Sequence, residues 1–119
     1  MKNIINCPAE RAIYFLGGKW KIRILFSLLK DKKIRFGVLK KELKTITQQM
    51  LSKQLKELEI DGIVNRKVYQ VVPPKVEYSL TEFGISVMPI LKSFSEWNKK
   101  NTRSIAIKLN KNFEESRIR

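Results

Sequence analysis

The feature that most constrains this chain is a change of hydrophobic period at Asp61-Gly62. Before it, apolar residues recur at spacings of three and four, the repeat of amphipathic helices. After it, Ile63 to Gln70 interleaves β-formers with Asn65, Arg66 and Lys67, and Val76-Glu77-Tyr78-Ser79-Leu80 reads as a second short strand. Val71-Val72-Pro73-Pro74-Lys75 separates the two as a turn, because two prolines cannot continue a central strand. The predicted element is a β-hairpin carrying basic residues.

The segments around it are helical. Pro8 opens a short helix over residues 8–16, which Gly17-Gly18 stops. A second helix over 19–30 holds Trp20, Ile22, Ile24, Leu25, Phe26, Leu28 and Leu29. It is apolar nearly all round and belongs at the centre of a core. Asp31 to Ile34 is a polar connection. A third helix covers Phe36 to Leu43, and Lys44-Thr45-Ile46 is a tight turn. Thr47 is the N-cap expected for a fourth helix, Gln48 to Ile60. Thr81 caps a long final helix, about Glu82 to Asn98, which Pro89 kinks. A short helix pair followed by a basic hairpin is the outline of a winged helix-turn-helix. The class is α+β, mostly helical, and the 119 residues suit one domain over 1–119.

Charge narrows the function. Lys and Arg number 25 against 11 Asp and Glu, a formal net charge of +14. That surplus points to a polyanionic partner, nucleic acid before an anionic membrane surface. No apolar run reaches membrane-spanning length and the N-terminus lacks a signal-peptide pattern, so the expected place is the cytoplasm. With no His and one Cys, the usual nucleophile pairs, disulfides and thiolate clusters have no material. Neither GxGxxG nor GxxxxGK[ST] is present. An enzyme is the weakest class, and neither cofactor nor metal is expected.

The fourth helix carries the functional argument. At about 100° per residue, Leu51, Leu55 and Leu58 share an arc of about 60° and anchor the core. Gln48, Gln49, Ser52, Lys53 and Lys56 occupy an arc of about 140° on the other side, and no acid occurs in the helix before Glu57. Gln pairs with adenine edges, Lys with guanine or phosphate, and Ser with either. Thr47, Gln48, Gln49 and Ser52 are therefore candidates for bases or nearby phosphates, and Lys53 and Lys56 for phosphates. Arg35 is either a phosphate ligand or a surface cation. Arg66, Lys67 and Lys75 flank the hairpin tip as candidate wing contacts to backbone or minor groove.

Apolar surface exceeds what one small domain covers. Ile13 and Leu16 in the first helix, and Val87, Ile90, Leu91, Phe94 and Trp97 in the last, are candidate dimer-interface residues. A two-fold dimer through helices 8–16 and 82–98 would space two recognition helices about 34 Å apart, matching a pseudo-palindromic operator in double-stranded DNA. Residues 99–119 form a basic extension, either a further packed element or a partly ordered tail.

Cys7-Pro8, Gly17-Gly18-Lys19-Trp20, Arg35-Phe36, Leu55-Lys56-Glu57-Leu58-Glu59 and Asp61-Gly62-Ile63-Val64 form a distinctive series. It continues with Pro73-Pro74-Lys75-Val76-Glu77-Tyr78-Ser79-Leu80-Thr81, Gly84, Pro89 and Trp97. The series resembles the HxlR-type transcriptional regulators over residues 7–97. The resemblance implies a homodimeric, winged-helix, DNA-binding bacterial regulator acting as repressor or activator at promoter operators. It also implies a dimer built from the N- and C-terminal helices. Two positions depart from the family pattern: Val38 stands where an acid is usual, and Gln49 where Lys or Arg is frequent. Some members sense oxidants or electrophiles through the Cys of this Cys-Pro pair, which makes Cys7 a candidate redox sensor; the alternative is an inert thiol. The other function classes are a non-specific nucleic-acid binder without effector sensing and a protein-interaction module. The second would need an apolar exposed face on the fourth helix. No residue identifies a small-molecule effector.

Overall fold

A computed structural model describes residues 7–118, with side chains through Lys111. The order is α1 (Pro8–Leu16), α2 (Lys19–Lys30), β1 (Ile34–Arg35), α3 (Phe36–Leu43), α4 (Gln48–Ile60), β2 (Val64–Tyr69), β3 (Lys75–Leu80), α5 (Glu82–Ile85), α6 (Met88–Lys100) and α7 (Thr102–Ile118). The chain divides into two compact units, one ending at Val87 and one beginning at Met88.

The first unit is a winged helix-turn-helix. The buried α2 residues Ile24, Leu25 and Leu28 meet a layer formed by Leu39 and Leu43 of α3 and Leu51, Leu55 and Leu58 of α4. Ile46, between α3 and α4, is buried too. Each such side chain contributes about 1.5–3 kcal/mol by leaving water. The expectation of a helix buried all round holds only in part: Ile24, Leu25 and Leu28 are buried, Trp20, Ile22 and Leu29 are half-buried, and Phe26 is exposed. Lys44 ends α3 with φ 58°, a left-handed conformation, and its N–H reaches Lys40 O at 3.1 Å.

The sheet is antiparallel, in the order β1-β3-β2. The strand β1 is a finding beyond the sequence reading, which ended a polar connection at Ile34. Two residues show no period, and β1 exists only through its pairing with Tyr78 and Glu77 of β3. Ile34 and Tyr78 turn inward and are buried.

The end of α4 is joined to α5 through one hydroxyl. Gly62, at φ 76°, turns the chain into β2. The Thr81 hydroxyl donates to Gly62 O and accepts from Gly84 N at 2.9 Å, capping α5. A Cβ on Gly84 would collide with the Ile63 carbonyl, so only glycine permits this approach.

The long final helix is corrected. It is broken after Ile85, and α6 starts afresh at Met88. Pro89 is the second residue of α6 and does not kink a continuous helix. First-turn N–H groups lack intrahelical acceptors, so proline costs nothing there. In the second unit, only Asn101 separates α6 from α7, with its N–H 3.2 Å from Trp97 O. The backbone of the basic extension is thus helical to Ile118; side chains beyond Lys111 lie outside the described residues. Among the described residues no helix is long and apolar enough to cross a membrane.

Candidate nucleic-acid interface

The construction of α4 separates reading from anchoring. The Thr47 hydroxyl accepts from Met50 N at 3.1 Å, which fixes the first turn. Leu51, Leu55 and Leu58 are almost entirely out of solvent, while Gln48, Gln49, Ser52, Lys53 and Lys56 are all exposed. The first turn of α4 carries no acid, so the positive end of its dipole is uncompensated. Thr47 is exposed beside this face, but its oxygen already serves as the cap.

An ion pair behind the helix sets its attachment. Glu57 of α4 lies 3.7 Å from the ammonium of Lys21 on α2, a lysine that is itself buried. The second carboxylate oxygen, Oε2, is buried without a hydrogen-bond partner among the described residues. The pair keeps the carboxylate away from the polar face. Sequence reasoning passed over it, although a lysine inside a nearly all-apolar helix was a visible signal that a buried partner was needed.

The hairpin is arranged differently. Residues opposed in register share a sheet face. Arg35, Glu77 and Lys67 form one row across three strands, and Ile34, Tyr78 and Arg66 the next, on the opposite face. Lys75 sits beside Tyr69 on the face of Glu77. The wing candidates are therefore split: Lys67 and Lys75 share one face and Arg66 projects from the other. Both lysine ammonium groups lie 4.8 Å from the Tyr69 ring centre, and Lys75 pairs with Glu77 at 3.6 Å. The Tyr69 hydroxyl bonds the Glu77 carboxylate. That bond, with the nearby Lys75 and Lys33 charges, holds Glu77 below its ordinary value, and it raises Tyr69 above its own. Glu77 and Tyr69 were not candidate residues; only the strand register shows them between the cations. Arg35 is exposed and lines a depression of about 460 Å³ between the start of α3 and the Val71–Val76 turn.

The residues with this geometry match a known family. Residues 15–106 fit the model of the HxlR-like helix-turn-helix. The chain belongs to the HxlR family. It is therefore a helix-turn-helix transcriptional regulator, and the family implies that it binds DNA. An HTH-type transcriptional regulator of Halalkalibacterium halodurans is 50% identical over 101 residues, covering 85% of this chain and 89% of the relative. YybR of Bacillus subtilis, also described as an HTH-type transcriptional regulator, is 53% identical over 96 residues, covering 81% and 76%. Among solved structures, the redox regulator HypR in its reduced form superposes with a TM-score of 0.80 at 45% identity, covering 84% of this chain and 98% of that one. The reduced transcriptional regulator YodB of B. subtilis gives 0.73 at 33% identity, covering 84% and 98%.

The remaining candidates are dispersed. Ile13, Ile90, Phe94 and Trp97 are exposed, whereas Leu16, Val87 and Leu91 are buried within the single chain. Cys7 is exposed, with a free thiol, and is the N-cap residue of α1.

Proposed function

We propose that this HxlR-family regulator binds a pseudo-palindromic operator as a homodimer, acting in the cytoplasm. The observation that carries the reading is the polar face of α4. Gln48, Gln49, Ser52, Lys53 and Lys56 project to solvent from a helix anchored by three buried leucines. Gln48, Gln49 and Ser52 reach base edges; Lys53, Lys56 and Arg35 hold phosphates; Lys67, Lys75 and Arg66 contact the backbone beside the helix. Thr47 acts by capping and by its exposed position next to the phosphates.

Dimerisation is supported by apolar surface in each unit. Ile13, Tyr14 and Phe15 are exposed on α1, and Ile90, Phe94 and Trp97 on α6. Isolated exposed apolar residues are ordinary, but such groups on two helices point to a covered face. Selection of duplexes from a random pool at near-physiological salt tests the whole reading. The expected result is a pseudo-palindrome with half-sites about one turn apart. Binding without enrichment of any sequence would favour the non-specific alternative.

A redox response through Cys7 is a second reading, favoured by the exposed thiol and by the likeness to HypR. Two Cys7 thiols from two protomers would lose two protons and two electrons to an oxidant such as peroxide, which leaves as water, and form an intersubunit disulfide. Cys7→Ser should abolish any change in DNA binding on oxidation. A response that survives the substitution removes Cys7 as the sensor.

A further inference from the structure

The connection before β1 forms, with the wing, a cationic basin that the recognition helix does not use. It is an open depression of about 580 Å³ lined by Lys32, Lys33, Arg35 and Lys75 against Asp31 and Glu77. The two acids are not equivalent. Glu77 is already held by Lys75 and Tyr69, while Asp31 is exposed at the end of α2. Lys32 and Lys33 are exposed and make no ion pair among the described residues. Lys33 lies close enough to Glu77 and Tyr69 for its charge to act on both. The basin neighbours the depression at the start of α3, and Arg35 and Lys75 line both. The cations are strung along a loop and a strand edge and do not converge on one point. That layout suits a linear polyanion better than a single small anion.

We propose that Lys32 and Lys33 extend the DNA interface past the hairpin, taking backbone phosphates that flank the operator half-site. The proposal rests on the operator reading and adds to it two phosphate ligands per protomer that read no bases. Their contribution is electrostatic, through counterion release, at about 0.9 in the salt slope per phosphate neutralised.

The test uses the full chain and a duplex selected by the wild-type protein, carrying about one helical turn of flanking sequence on each side. Affinity is measured across a salt series for the wild type, Lys32→Gln/Lys33→Gln, and a charge-matched control, Lys108→Gln/Lys111→Gln. Both pairs of lysines are exposed, so folding is not at stake. The loop variant should lose up to about 1.8 in slope per protomer, equivalent to about 60-fold at 0.1 M salt relative to 1 M. Its selected sequence should be unchanged. Trimming the flanks should weaken wild-type binding in the same way and leave the loop variant little affected. An unchanged slope in the loop variant overturns the proposal while leaving the operator reading intact. An equal loss in the control also overturns it, because the effect is then net charge. A wild-type chain that binds no duplex overturns both readings together.

Discussion

The polar face of α4 and the outer face of the hairpin carry similar chemistry and are built in opposite ways. On α4 the amides, hydroxyl and ammonium groups are exposed and make no ion pair among the described residues, and Glu57 is turned to Lys21. On the hairpin, Lys67 and Lys75 flank an aromatic ring, and Glu77 holds Lys75 in place. The two constructions suit different contacts. A side chain with open valences can satisfy a base edge directly. A cation already neutralised must give up its partner, so the hairpin supplies placed charge more than sequence reading.

The largest effect breaks the platform under the comparison. Leu55→Ala removes a buried anchor of α4 and should cost about 2–5 kcal/mol, read as a lower thermal midpoint. DNA binding should fall only as far as the folded fraction falls. Next is the contrast itself. Gln48→Ala or Ser52→Ala should each lose about 1–3 kcal/mol against the selected operator and little against random duplex. Lys67→Gln should instead weaken both alike and reduce the salt slope by about 0.9. If Lys67→Gln changed the selected sequence, the division of labour would be wrong.

A smaller effect is expected behind the helix. Lys21→Met leaves Glu57 unpaired, and because Glu57 is 42% exposed the loss should be about 1–2 kcal/mol in stability. Lys21→Met with Glu57→Leu should recover most of it, which a double-mutant cycle on denaturation midpoints would show. The smallest concerns the hairpin carboxylate. Glu77 is held below its ordinary value of 4.5, so its stabilising contribution is present above that pH and lost as pH falls through the lowered value. Acid titration of Glu77→Gln should lack this component. At neutral pH the same substitution frees Lys75 and should steepen the salt dependence of DNA binding.

Local sequence determined the helices and their caps. The spacing of Leu51, Leu55 and Leu58, the cap at Thr47 and the stop at Asp61-Gly62 are all encoded within a few residues, and the polar face of α4 follows from them. The Pro-Pro turn and the flanking β-formers made the hairpin legible, and the motif series made the family legible. Tertiary structure decided what depends on partners distant in the chain. The strand β1 forms because β3 supplies its hydrogen bonds. The pairing of Lys67 and Lys75 around Tyr69, and the turning of Arg66 to the other face, depend on strand register, which shifts every side chain when it slips by one. The break before Pro89 follows from the short α5, whose cap Thr81 bonds the carbonyl of Gly62, nineteen residues away. Periodicity records which face of an element is apolar; only packing records what that face meets, because the meeting residues are far apart in the chain.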